Sequence, residues 1–126
     1  MTEQTFHIDG ERFDDFPGFI AEFNRGFVSH VGGQWNGNMD AFNDYLYWGD
    51  QGSTIRWMHS NKSRDDLGHD AMAQWLAENL LRCHPANRSS VQARLDQARN
   101  GLGPTLFEWL VEIIDENSEF VDLVLE

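Results

Sequence analysis

At 126 residues, 40% hydrophobic and 13% aromatic, the chain has the length and apolar content of one packed domain and argues against disorder. Its formal net charge of −12 sits at the two ends: residues 1–55 carry nine acidic and two basic groups, and residues 100–126 carry seven acidic and no Lys or Arg. Such a field repels phosphate backbones and anionic lipids, which disfavours nucleic-acid or membrane binding, and it attracts a cationic partner, with plain solubility as the alternative.

No apolar run approaches the about 20 residues needed to span a bilayer. The opening residues show no basic segment followed by an apolar one, so no secretory leader is expected. Cys83 stands alone, which leaves no internal disulfide and suits a reducing cytoplasm.

In chain order, residues 5–8 predict a short strand closed by the Asp9-Gly10 turn. Phe16, Ile20, Phe23 and Phe27 recur at helical spacing, with Asp14 or Asp15 at the cap and Pro17 in the first turn. Three glycines mark residues 28–37 as an ordered loop, and a short helix follows over residues 38–48. The β-branched and aromatic run at 54–58 predicts a second strand. Met72, Trp75, Leu76 and Leu80 mark one further helix; Val91, Leu95 and Ala98 mark another. His84-Pro85 separates them and Asn100-Gly101 stops the second.

Pro104 opens a last helix with a Phe107, Leu110, Val111, Ile114 stripe. The closing FVDLVLE reads as a strand of the kind buried in a parallel sheet. Strand, helices, strand, helices, strand predicts an α/β fold with right-handed crossovers: a small three-stranded parallel sheet packed with about four to five helices.

The helix over 38–48 poses the functional question. Met39, Phe42 and Leu46 share one face; Asp40 and Asp44 lie together on the other, one turn apart. No Lys or Arg occurs between Gly26 and Ile55. Asn38 suits the cap, and Asp40 then gains from the helix dipole, whereas Asp44 lies beyond the first turn and gains little. Trp35-Asn36-Gly37 before the helix and Tyr47 and Trp48 at its end surround the carboxylates with aromatics, an interface composition. For Trp35 and Trp48, plugging the ends of the core is the equal alternative. On the last helix, Glu108 and Glu112 lie opposite the apolar stripe with Trp109 nearby. Glu108 suits a solvated face and Glu112 a partner contact.

The run Asn38-Met39-Asp40-Ala41-Phe42-Asn43-Asp44-Tyr45-Leu46 resembles the asparagine-leucine-aspartate-alanine helix of the barstar-like ribonuclease inhibitors. FHIDGERF near the start, FVDLVLE at the end, and the segments IRWMHSNKSRDDLG, LLRCHPANRSSVQARLDQARNG and GPTLFEWLVEII are similar to the longer bacterial members. The resemblance implies one barstar-like domain over 1–126, of the same layer architecture, with an extra helical segment at about 64–101. It also implies a cytoplasmic, non-enzymatic inhibitor, needing no cofactor or metal, that binds a basic ribonuclease one-to-one as a monomer. Family members plug the enzyme's active site with this helix and the loop before it, aspartates standing in for substrate phosphates.

By the motif, Asp40 and Asp44 fall on the family's two helix aspartates, with Asp44 the deeper, and Asn38 falls on its helix-start asparagine. Trp35 falls on its aromatic pair. Asn36-Gly37 and Asn43 stand where the family has glycine-glutamate and tryptophan; Trp48 replaces an aromatic beyond the helix, and Glu112 is the match to the last-helix acid. The alternative partner is a non-ribonuclease toxin or other basic protein, with this chain as immunity protein or acidic adaptor.

Other constellations carry less. Asp65, Asp66, His69 and Asp70 have ligand chemistry, but their spacing suits a helix start better than a metal site. Cys83-His84 are adjacent and poorly disposed to act as nucleophile and base. His7 and His59, in strand candidates, are expected to be structural. A hydrolase using Asp44 with a histidine is the enzymatic alternative to binding.

Overall fold

A computed structural model describes residues 4–48 and 52–126. Three strands, β1 (Thr5–Asp9), β2 (Ser53–Met58) and β3 (Val121–Leu125), form a parallel sheet in the order β1-β2-β3. Register runs Phe6↔Ile55↔Leu123 and Ile8↔Trp57↔Leu125. When strands are added in sequence order by crossovers of one hand, every helix lands on the same side of the sheet. The strands record this by alternating. Phe6, Ile8, Ile55, Trp57 and Val121 are buried, whereas Thr5, His7, Arg56, Asp122 and Val124 are exposed.

That pattern corrects the reading of the last strand. FVDLVLE is not sandwiched between two layers: β3 is an edge strand on a sheet covered on one face. Val124 is 40% exposed, and Glu126 just beyond β3 pairs with Arg56 on the open face. A run of apolar residues carries no information about which sheet faces are covered; the crossover direction decides that.

Among the described residues the sheet carries six α-helices in place of the four to five expected. They are α1 (Phe16–Gly26), α2 (Met39–Tyr47), α3 (Ser60–Asp66), α4 (His69–Leu80), α5 (Arg88–Arg99) and α6 (Leu106–Glu116). A 3-10 turn at Val28–Val31 occupies the start of the expected loop. The unexpected helix is α3, whose sequence SNKSRDD has no apolar stripe. Polar tethers hold it instead. Ser63 Oγ accepts from the Trp57 indole at 2.9 Å, and the Lys62 ammonium donates to Phe13 O, Asp14 and Asp66. Residues 64–101 thus hold the end of α3 with α4 and α5.

The core is aromatic. Phe19 stacks on Trp57 with centroids 5.0 Å apart, and Phe23, Trp35 and Phe42 close around it. Asp15 caps α1 by accepting from Gly18 N, and α1 ends at Gly26, where a Cβ would lie 2.5 Å from His7 O. That close approach presses α1 against β1 and places the loop leading to α2. No helix among the described residues is long and apolar enough to cross a membrane.

Candidate functional site

The loop before α2 is built by one asparagine of α1. Asn24 accepts from Trp35 N at 2.7 Å through Oδ1 and donates to Trp35 O at 2.8 Å through Nδ2. This two-way clamp fixes Trp35, whose side chain is only 2% exposed among Phe16, Phe19, Phe23 and Phe42. Of its two expected places, Trp35 therefore takes the core. Its indole N–H donates to Asn38 O at 2.7 Å, so Trp35 supports the start of α2 from beneath.

Asn36 Oδ1 accepts from Asn38 N, and Gly37 sits at φ 99°, a left-handed conformation that a side chain would strain. Asn38 then caps α2 as expected, its Oδ1 accepting from Ala41 N at 3.0 Å.

From that cap the helix runs with Met39, Phe42 and Leu46 in the core and Asp40, Asn43 and Asp44 exposed. Among the described residues, neither Asp40 nor Asp44 makes a side-chain hydrogen bond or ion pair. Both carboxylates are exposed, and no cation among the described residues pairs with them. At the far end of α2, Tyr47 is 62% and Trp48 55% exposed. These are large apolar surfaces that packing has left out of the core. Each is braced from one side. Trp48 meets the Tyr45 ring edge-on at 5.0 Å, and Tyr47 lies 4.6 Å from Phe120. Tyr45 in turn donates from its hydroxyl to Gln34 O at 2.9 Å, tying the helix back to the loop.

The remaining predicted residues divide. Asn43 uses its amide oxygen internally, accepting from Asn117 Nδ2 at 2.8 Å. Glu112 belongs to a separate surface, a shallow groove where Glu108, Glu112, Asp115 and Glu116 border Phe107, Val111 and Leu125. Arg64 covers the Phe107 ring there at 4.7 Å. Glu108 closes a capping box with Thr105, and the Thr105 N–H followed by its hydroxyl holds the Glu108 carboxyl below its ordinary value. Asp66 is engaged by Lys62 and His69 by Gly103 O. Among the described residues no group of three or more His, Cys, Asp and Glu is arranged to hold a metal.

Two contributors escaped the sequence. Asn24, on the half-buried side of α1, gives no local sign that it clamps Trp35 eleven positions on. Asn117, just past α6, anchors α2 across 74 positions of chain, and no local pattern points to such a pair. Compared with known proteins, the chain matches no family model, no curated protein and no solved structure.

Proposed function

We propose that the protein is a non-enzymatic, barstar-like inhibitor that occludes the active site of a basic ribonuclease with α2 and the loop before it. The observation that carries this reading is the pair of uncommitted carboxylates, Asp40 and Asp44, on a rigid helix beside two exposed aromatics. A helix anchored at both ends loses little freedom on binding, so its anions meet the partner's cations without reordering. The partner's active-site cations are the ones the sequence between Gly26 and Ile55 lacks. The rings of Tyr47 and Trp48 supply the apolar contact that shields those pairs from water. Asn36, Gly37, Asn38 and Trp35 act by holding the loop in shape, Asn43 by fixing the helix, and Glu112 as an outlying acidic contact. The inhibitor works as a monomer in the cytoplasm, one-to-one on its target, until the nuclease leaves the cell.

The test is inhibition of a panel of basic microbial ribonucleases by wild type and by Asp44→Ala at low and high salt. Inhibition that weakens with salt and loses at least about 3 kcal/mol in the variant, with folding intact, is expected for truncation of one partner of a buried charge pair. Inhibition unaffected by Asp44→Ala would remove α2 from the mechanism. Absence of inhibition across the panel would transfer the reading to a toxin that is not a ribonuclease.

A further inference from the structure

The helical layer runs out over β3. Leu125 lies in register with Ile8 and Trp57, both fully buried, yet is itself 39% exposed. It borders the shallow groove beside α6, a space of about 520 Å³ floored by Phe107, Val111 and Leu125. Glu108, Val111, Glu112 and Asp115 follow one another at i, i+3, i+4 and i+7, so they form one stripe of α6. Ile113 and Asn117 turn elsewhere, toward Asn43 of α2. The groove is therefore a second surface, separate from the acidic helix.

The strand beside the groove lies at the edge of the sheet. Glu126 N–H donates to Trp57 O and Glu126 O accepts from Ser60 N, both from the β2 side. Peptide groups alternate along a parallel strand, so Asp122 and Val124 also turn theirs to β2, and Leu123 and Leu125 turn theirs outward. No side chain or loop among the described residues bonds to those outward groups. The charged lining is one-sided: Glu108, Glu112, Asp115 and Glu116 stand against Arg64 alone. Arg64 is held over the Phe107 ring and Glu108 in its capping box. Glu112, Asp115 and Glu116 pair with no cation among the described residues.

We infer that β3 and this groove take up an extended basic segment of a partner protein, added to the sheet as a further strand with the side-chain pattern basic-x-apolar-x-basic. Leu123 and Leu125 supply the backbone pairing. Alternate side chains of an added strand face the groove. The central apolar one covers Leu125 and Val111, and the basic ones on either side reach Glu112 and Asp115. Four carboxylates against one guanidinium leave an excess of three negative charges in the lining itself, and that excess selects a basic occupant. It also sets aside a second copy of this chain, because two β3 edges brought together would oppose two acidic grooves. The inference gives the contact at Glu112 a specific occupant and does not depend on α2 entering a nuclease.

The groove is testable with a model peptide. The full chain, isotope-labelled, is titrated at low salt with acetyl-Thr-Arg-Thr-Ile-Thr-Arg-Thr-amide and followed by NMR at the amides of α6 and β3. Parallel titrations use the same peptide with glutamate in place of arginine, and with its three central residues N-methylated so that they cannot pair as a strand. Expected are saturable shifts confined to α6 and β3, slowed hydrogen exchange at the Leu123 and Leu125 amides, and no binding of either control peptide. Binding should be about tenfold weaker in the variant carrying both Glu112→Gln and Asp115→Asn, and unchanged in Asp44→Ala. Shifts spread over α2 and the rest of the acidic surface, unchanged exchange at Leu123 and Leu125, equal binding of the N-methylated peptide, or indifference to the double variant would each overturn it. Dimerisation of the chain through β3, seen by sedimentation, would overturn it as well. Asp44→Ala tests the plug and the double variant tests the groove, so the failure of either is visible by itself.

Discussion

Asn117 Nδ2 donates to Asn43 Oδ1 at 2.8 Å and shares its other hydrogen with Ile113 O at 2.9 Å, joining the end of α6 to the middle of the acidic helix. Asn117 is buried, so truncating it orphans a carbonyl and releases α2. Asn117→Ala is expected to lower stability by about 1–3 kcal/mol in urea unfolding. Asn43→Ala should cost less, because Asn43 is exposed and water can replace it. An Asn117→Ala variant with wild-type stability would show that the bond does not anchor α2.

Trp35 should behave as a core residue. Trp35→Ala removes a buried indole from a ring of four phenylalanines and is expected to cost about 3–5 kcal/mol. Trp35→Phe keeps most of the packing but abandons Asn38 O, and its loss should be about 1–2 kcal/mol. Thermal unfolding separates the two. A Trp35→Ala variant with wild-type stability would place the indole on the surface.

Asp44 should contribute nothing to folding. It faces Asp40 one helical turn away, and like charges at that spacing oppose the helix by about 0.2–0.5 kcal/mol. Asp44→Ala is therefore expected to be as stable as wild type or slightly more so, most visibly at low salt. Asp40 lies in the first turn, where the helix dipole rewards a negative charge, so Asp40→Ala should show no such gain. A clear loss of stability in Asp44→Ala would mean that the carboxylate serves the fold.

Acid unfolding has an assigned contributor at the end of β1. The Glu11 N–H, then the His59 ring, hold the Asp9 carboxyl below its ordinary value of 3.8. A folded pKa below the unfolded one stabilises fully above the unfolded value, and that stability is lost as pH falls through the depressed folded value. Stability of the wild type should thus fall more steeply below about pH 4 than that of Asp9→Asn. Parallel acid limbs in the two proteins would remove Asp9 from the transition.

Glu22 ties the same corner together at a depth unusual for a carboxylate. It is 4% exposed, pairs with Arg12 at 3.1 Å and Arg25 at 2.6 Å, and accepts from Asp9 N at 2.8 Å. Glu22→Ala leaves that N–H unpaired and is expected to cost about 1–3 kcal/mol. Truncating one of the arginines, followed by urea unfolding, offers a check. Arg12→Ala alone should cost less, since its side chain is mostly in water and Arg25 remains in place.

Much of this molecule was legible from short-range patterns. The 3.6-residue spacing of Phe16, Ile20, Phe23 and Phe27, the Asn38 cap, the apolar stripe after Pro104 and the three strands all follow from local sterics and amphipathicity, which act within a few residues. The uncommitted aspartates of α2 were equally visible, because charge and helix period are sequence properties.

Tertiary structure alone decided the rest. α3 exists because Ser63 meets Trp57 and Lys62 meets Gly10 O, Phe13 O and Asp14, 48 to 52 positions away, and its own residues carry no periodic signal. β3 became a half-exposed edge because crossover direction, not strand composition, distributes helices between sheet faces. Trp35 lies inward among Phe19, Phe23 and Phe42, and Tyr47 and Trp48 lie outward, because rings compete for a finite core. The placement of α4 across from the loop before α2, with an open cleft between them, likewise depends on contacts between segments far apart in the chain. Local pattern determines what an element is; the packing of the finished core determines which of its side chains remain for another molecule.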